Sequence, residues 1–593
     1  MDGDDPRPRG RGRRDRGDRS RRGGTGLHDP GRPLHRYHLP PRLAATGGGV
    51  HPLGPVVSDG AGAHRSTARP LRHERAFRAL EAVQLTNAVA VWIHVVSVQW
   101  VLTERGEPAS VISLAPAAMA VPFLVLALPV GVIAGYASRK KMMALATVAS
   151  AGSAVAATVL TVTGADTALP MICSVLLVGT ALVVVGVSWQ SLLPETVDRG
   201  MIPTAALVDG AVFNLARSLG PLLAGLGLGL AGAEWAFAVV AVLSVGCALA
   251  LWRMERRSPD RTAPRRAIMP EISGAVRFVV NSAWTTRLLC QLFLFGIPSS
   301  ALWALISLAV YDGLGMGADG FGVLMALIGA GAVVAVMGFG GLRRRLRVTV
   351  FAACGALVYA AALAVLAVST SPVVVGIAML FAGAAWVSVQ SSWMSMGHQF
   401  FPDWIRPRLI AVILLMVQGT QAAGSLLWGV VADAAGLQAA LLVAAGLMVI
   451  SCVSLLLVGL GAEKGIEPVL VSELGGPAGP SGEVTDPGTP RGDRSGPVVV
   501  RYVYRVPEGR TREFLTAMRD LRRSRLRLGG RRWRLERPTA EPGLFVETYR
   551  VGSAEEFVEQ EHRRLTVPET RLRHRVESLV AGAVEGPKVS DRP

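Results

Sequence analysis

The chain has 593 residues, of which 51% are hydrophobic, and a formal net charge of +18. Its positive mean hydropathy excludes an ordinary soluble globular protein. The basic excess lies largely in the N-terminal tail and in alternate connections between apolar stretches, without interleaved aromatics. That excludes nucleic acid as a partner of the core and makes anionic lipid headgroups the counterpart.

Residues 1–70 are rich in Arg, Gly, Pro, Asp and His and have no apolar periodicity. They read as a disordered basic tail, or as the product of a start site assigned too early. They lack the apolar middle region of a signal peptide. Twelve apolar stretches follow, at about 79–103, 110–135, 141–164, 168–192, 205–231, 234–254, 287–311, 320–341, 348–369, 372–395, 408–432 and 437–461. Each is close to the length of about 20 residues that crosses a bilayer as a helix. Of the Lys and Arg between Arg72 and Gly461, 21 fall in or at the margins of one set of alternate connections, only Arg105 falls in the other, and Arg217 sits well inside a span. Basic loops resist translocation, so the pattern predicts a multi-pass protein of the bacterial inner membrane with both ends of its core in the cytoplasm. The strong preference for Arg over Lys, with abundant Ala, Gly and Val, fits a GC-rich bacterial genome.

The core repeats itself. Gly131 to Ala134 followed by Arg139-Lys140-Lys141 matches Gly338 to Gly341 followed by Arg343-Arg344-Arg345, an offset of about 207. Ser188-Trp189 recurs as Ser392-Trp393 at 204, Leu219-Gly220-Pro221 weakly as Ala423-Gly424-Ser425 at 204, and Pro194 with Arg199 as Pro402 with Arg406. The repeat predicts two six-helix halves, 71–254 and 287–464, joined by a basic cytoplasmic linker at 255–286.

Several local patterns carry functional weight. The connection Gly131-x-Ile133-Ala134-Gly135-Tyr136-x-Ser138-Arg139-Lys140-Lys141 pairs a glycine, which permits close helix approach, with a basic cluster at the headgroups. It resembles the G-x-L-A-D-R-x-G-R-[KR] signature of the major facilitator superfamily, with Gly135 where that family usually has aspartate. The charge relay attributed to that aspartate is thereby put in doubt, and a plain positive-inside loop is the alternative. The fifth stretch, Asn214-Leu215-Ala216-Arg217-x-x-Gly220-Pro221-x-x-x-Gly225, is similar to the family's antiporter signature. Its proline removes a backbone donor and makes a hinge, while small-residue packing alone would explain the glycines.

Arg217 needs a reason of its own, because arginine well inside a span costs at least about 2.5–3.5 kcal/mol. It must face a partner or a wet cavity; Asp209, eight residues earlier, is about 12 Å away along the helix and therefore has separate partners. The first span offers His94, Gln99 and Trp100. His94 reads as a cavity-lining polar residue, a proton carrier or a satisfied buried histidine.

The stretch Gly383-Ala384-Ala385-Trp386, Gln399, Pro402-x-Trp404-x-Arg406-x-Arg408, Gln418-Gly419 and Gly424 to Gly429 with Ala432-Asp433 and Gly436 narrows the resemblance. It resembles the transmembrane secretion effector branch, related to enterobactin-exporter-like transporters, over residues 71–462. The resemblance implies alternating access, export of a small organic molecule and proton antiport. The fold expected is all-α, with twelve transmembrane helices, plus a small C-terminal α+β domain.

A Gly/Pro/Ser-rich linker at 465–496 leads to that domain. At 497–582 the period changes to β-α-β-β-α, which predicts a ferredoxin-like fold similar to small monooxygenase-like modules, followed by a tail at 583–593. His562 is the catalytic candidate there, but it lacks a partner acid, so an inert or dimerising module is preferred. The five cysteines, Cys173, Cys247, Cys290, Cys354 and Cys452, lie in apolar runs without metal-ligand spacing. No GxxxxGK[ST] motif is present, which leaves ion or solute gradients as the energy source. The expected partners are a small-molecule substrate, a proton or other coupling ion and the lipid bilayer. No catalytic residue, cofactor, metal or nucleic acid is expected, and the oligomeric state is open. The rival functions are an importer or uniporter and a non-transporting scaffold or sensor.

Overall fold

The computed structural model describes residues 75–254, 268–460 and 496–590, apart from positions 403, 540, 563 and 583. The expected N-terminal tail, the first part of the inter-half linker and the Gly/Pro-rich linker lie outside the described residues.

Among the described residues, twelve helices are long and apolar enough to cross a membrane. The first half holds Arg75–Glu104, a second span made of Ala109–Ile112 and Leu114–Tyr136, then Arg139–Val162, Ala168–Thr196, Ile202–Ala231 and Ala233–Arg253. The second half holds Ala283–Leu308, Ala318–Gly338, Val348–Val368, Pro372–Phe400, Arg406–Ala435 and Leu437–Val458. Helices are forced because hydrocarbon offers no partner to a backbone N–H or C=O. The fifth and eleventh spans stop at Gly232 (φ 84°) and Gly436 (φ 87°), glycines 204 residues apart. The left-handed turn at each lets the next span begin at once.

The halves meet on the side away from the basic connections, here called the far face. Gly225 of the fifth span crosses Gly322 of the eighth so closely that a Cβ on either would overlap the other's Cα. The same crossing recurs between Gly429 of the eleventh span and Ser113 at the start of the second. Asp433 then accepts hydrogen bonds from the backbone N–H of Ala109 (2.7 Å) and Ser110 (3.1 Å). Gln99 Nε2 donates to the Trp303 carbonyl at 3.0 Å, and Thr103 donates to Ser307 at 2.8 Å. These bonds tie the first span to the seventh.

Part of the expected 255–286 connection is an amphipathic helix, Ile268–Asn281. Its apolar residues Ala275 and Phe278 are buried, and Phe278 packs edge-on against Trp404 with centroids 6.1 Å apart. This linker helix also packs against helix α1 of the C-terminal domain (Thr511–Leu528).

That domain is a four-stranded antiparallel sheet in the order β2-β3-β1-β4, with strands Val498–Arg505, Arg531–Glu536, Leu544–Val551 and Glu585–Ser590. Helix α1 and the helices α2 (Ala554–His562) and α3 (Val567–Glu577) complete a βαββαβ ferredoxin-like fold. The expected tail at 583–593 is corrected here, because Glu585–Ser590 forms β4 beside β1. Its sequence EGPKVS carries no apolar alternation, so only pairing with β1 defines it as a strand.

Candidate functional site

The site is centred on the fifth span. Gly220 lies where a Cβ would overlap Trp92 of the first span, so the missing side chain lets these helices touch. One turn earlier on the same helix, the guanidinium of Arg217 sits among three indoles from three other spans. Its Cζ is 3.8 Å from the Trp386 ring centroid, 4.4 Å from Trp303 and 5.5 Å from Trp92. Trp92 belongs to one half, Trp303 and Trp386 to the other, so the cation is held at their interface. Met325, Ile328 and Val387 also line the small cavity beside Arg217, Trp303 and Trp386. Among the described residues no carboxylate pairs with Arg217. Aromatic faces replace the missing counter-ion, at about 2 kcal/mol or more when the cation is desolvated.

The other first-span candidates are placed differently. His94 is fully buried inside the first half, with Nε2 hydrogen-bonded to Ser174 at 2.9 Å and its ring against Phe237 at 5.1 Å. Gln99 is spent on the seventh-span backbone, as above. Trp100 stacks on Phe321 of the eighth span, with centroids 5.4 Å apart. Asp209 accepts from Trp189 Nε1 at 2.6 Å and from Gln190 Nε2 at 2.9 Å, near the basic end of the fifth span. Asn214 lies on the fifth span, but its side chain is outside the described residues. The side chain of His562 is likewise outside them. The structure therefore gathers Arg217 with tryptophans and leaves His94 and Asp209 in separate surroundings.

A family model described as transmembrane secretion effector matches residues 65–591. The chain belongs to that family of major facilitator transporters. No curated protein matches it. Among solved structures, the nucleoside transporter NupG is 14% identical, with a TM-score of 0.54 over 64% of this chain and 98% of that one. A bacterial homolog of the human lysosomal transporter Spinster, solved inward-facing and unoccupied, is 14% identical, with a TM-score of 0.52 over 65% and 94%. A POT family transporter in complex with 5-aminolevulinic acid is 11% identical, with a TM-score of 0.52 over 65% and 96%. At these identities the likeness is one of fold.

In this secretion-effector chain the signature residues hold the basic ends of the helices. Arg139 donates from Nε to the Ala134 carbonyl (3.1 Å) and from an Nη to the Ser191 carbonyl (3.0 Å), and it pairs with Glu195. It thus binds the second-span end to the fourth. Arg343 makes the equivalent bond to Ser391 in the other half, at 3.4 Å. The Lys141 amide donates to the Ser138 hydroxyl that caps the third span, and Lys140 follows Arg139 in its first turn. Arg406 returns its Nε to the Phe401 carbonyl at 3.1 Å, and Arg408 is in the same first turn. Gly131 meets only an ordinary contact, Val187 at 3.8 Å, so no close approach depends on it. Pro221 lies within the fifth span directly after the tight Gly220 contact.

Reading by motif missed Trp303, which no pattern singled out, and Glu81 near the start of the first span. The signal for Glu81 was present, since an acid inside an apolar span is costly and marks a function by default.

Proposed function

We propose that this transporter exports a small organic molecule, siderophore-like or drug-like, from the bacterial cytoplasm by proton antiport. The Arg217–tryptophan cluster carries the reading. A desolvated cation between the halves, with no carboxylate partner among the described residues, suits a substrate that brings an anionic group and a planar ring. The basic connections define the cytoplasmic face, with both ends of the core on that side. The far-face crossings are then the outer gate, and alternating access proceeds by parting Gly225 from Gly322 and Gly429 from Ser113 while the basic side closes. One charge moved across 100 mV supplies about 2.3 kcal/mol, which supports export without nucleotide.

The contact of the C-terminal domain with the linker helix favours a second reading, a sensor that acts through that domain. Flux separates the two. Purified protein in liposomes should move members of a panel of anionic and neutral aromatic metabolites under an imposed pH gradient, and an uncoupler should abolish accumulation. If no member moves, the exporter reading is lost and the sensor reading stands.

A further inference from the structure

Glu81 is the least accommodated charged group in the spans. It is 7% exposed, and both carboxylate oxygens are buried without a hydrogen-bond donor among the described residues. Gln84 and Asn87 continue along the same side of the first span. Each is at most 5% exposed, and its carbonyl oxygen also lacks a donor. The first span thus presents acceptor oxygens to which nothing donates among the described residues.

Among the described residues no cation pairs with Glu81, and Arg78, one turn earlier on the same span, is exposed. The charged group that acts on Glu81 is Asp209 of the fifth span. The fourth span brings Trp189, whose indole N–H is given to Asp209, and Gln190, whose Nε2 also donates to Asp209. The sixth span brings the Cys247 thiol, which points to the Val83 carbonyl at 3.7 Å. A buried carboxylate without donor or counter-ion costs several kcal/mol, and a second carboxylate nearby adds to that cost. A proton on Glu81 removes both penalties. Asp209 differs, because two N–H donors suit the ionised form.

The internal repeat shows that this acid is not a requirement of the fold. Trp393 is the counterpart of Trp189 and is equally buried, yet the position equivalent to Asp209 at the 204 offset is Ile413. The second half builds its version of the same helix pair with an apolar residue.

We propose that Glu81 and Asp209 form the proton-binding site of this transporter, with Glu81 taking up and releasing one proton per cycle beside an ionised Asp209. The flux part of the test rests on the antiport reading; the binding part does not. For binding, infrared spectra of the full-length protein in liposomes are recorded in H2O and D2O at neutral pH. Wild type should show the carbonyl band of a buried protonated carboxyl, Glu81→Gln should lose it, and Glu81→Asp should retain it at a shifted position. Absence of the band in wild type, or its survival in Glu81→Gln, overturns the proposal. Size-exclusion and thermal-unfolding profiles certify that the variants fold. If Glu81→Gln does not, the Glu81→Asp shift decides, and an unmoved band refutes the assignment.

For coupling, the probe is carboxyfluorescein, an anionic aromatic dye. One proton per cycle and a gradient of one pH unit set about tenfold accumulation, which Glu81→Gln should reduce to about one while downhill exchange continues. Retained tenfold accumulation in that variant overturns the proposal. If wild type carries no dye, the anionic-substrate reading fails, and the infrared result still decides the proton site.

Discussion

Gly225 and Gly322 touch backbone to backbone at the far face, and the repeat places Gly429 in a similarly tight contact, against the Ser113 hydroxyl and the backbone of Ala109 and Ser110. A valine at 225 must push the fifth and eighth spans apart. Gly225→Val is expected to weaken closure of this face, so that a cysteine introduced at Ala318, buried in the first turn of the eighth span, reacts faster with a membrane-impermeant maleimide. Unchanged labelling and unchanged transport would falsify the gate assignment.

Asp433 accepts from two backbone N–H groups of the opposite half. Hydrogen bonds to a charged acceptor are worth about 1.5–3 kcal/mol each, so Asp433→Ala should shift the closed population strongly toward far-face opening. Distances between spin labels on the second and eleventh spans would report it. A distance distribution identical to wild type would remove Asp433 from the closing device.

Arg217 faces three indoles and no described carboxylate. Arg217→Leu should reduce transport of an anionic substrate by about thirtyfold, the equivalent of about 2 kcal/mol. Arg217→Lys should recover only part of this, because an ammonium is a point charge and cannot stack on Trp386 as a planar guanidinium does. Equal loss for neutral and anionic substrates would point to assembly instead of recognition.

His94 is enclosed by Ser174 and Phe237 within one half. Glutamine can keep the bond to Ser174, so His94→Gln should transport at close to the wild-type rate with an unchanged pH profile. A flattened profile in proteoliposomes would return His94 to the coupling pathway.

In the C-terminal domain, Arg525 and Arg573 both bind Glu561, while Glu547 accepts from Tyr504 and Trp533. Burial pushes the Glu561 carboxyl up, but Arg573 and Arg525 outweigh it and hold the group below its ordinary range. A depressed folded-state value means stability that is fully present above the unfolded value and lost as pH falls through the folded one. The protection factors of the β3 amides in the full-length protein should therefore fall as pH drops below the ordinary carboxylate range. Glu561→Gln should be less protected at neutral pH and should lack this acid step.

Much of the architecture was legible in the chain. The predicted 110–135 and 372–395 stretches fall within helices, and the twelve-span count agrees with the structure, because lipid imposes a length and a backbone state that apolar runs satisfy locally. The linker helix Ile268–Asn281 was less visible, since it is short and directly follows the basic run that marks the connection. β4 was not visible at all, because its neighbours in space lie far away in sequence.

The candidate site divides the same way. Sequence alone determined that Arg217 needs a special environment, because a charge left in bare hydrocarbon is costly in any fold. Tertiary structure alone decided what that environment is: indoles from the first, seventh and tenth spans, brought together only when the halves pack. It likewise separated His94 from Asp209 and exposed Glu81 as an acid without a donor. Burial and hydrogen-bond satisfaction belong to the packed helices, and residue order along the chain does not encode them locally.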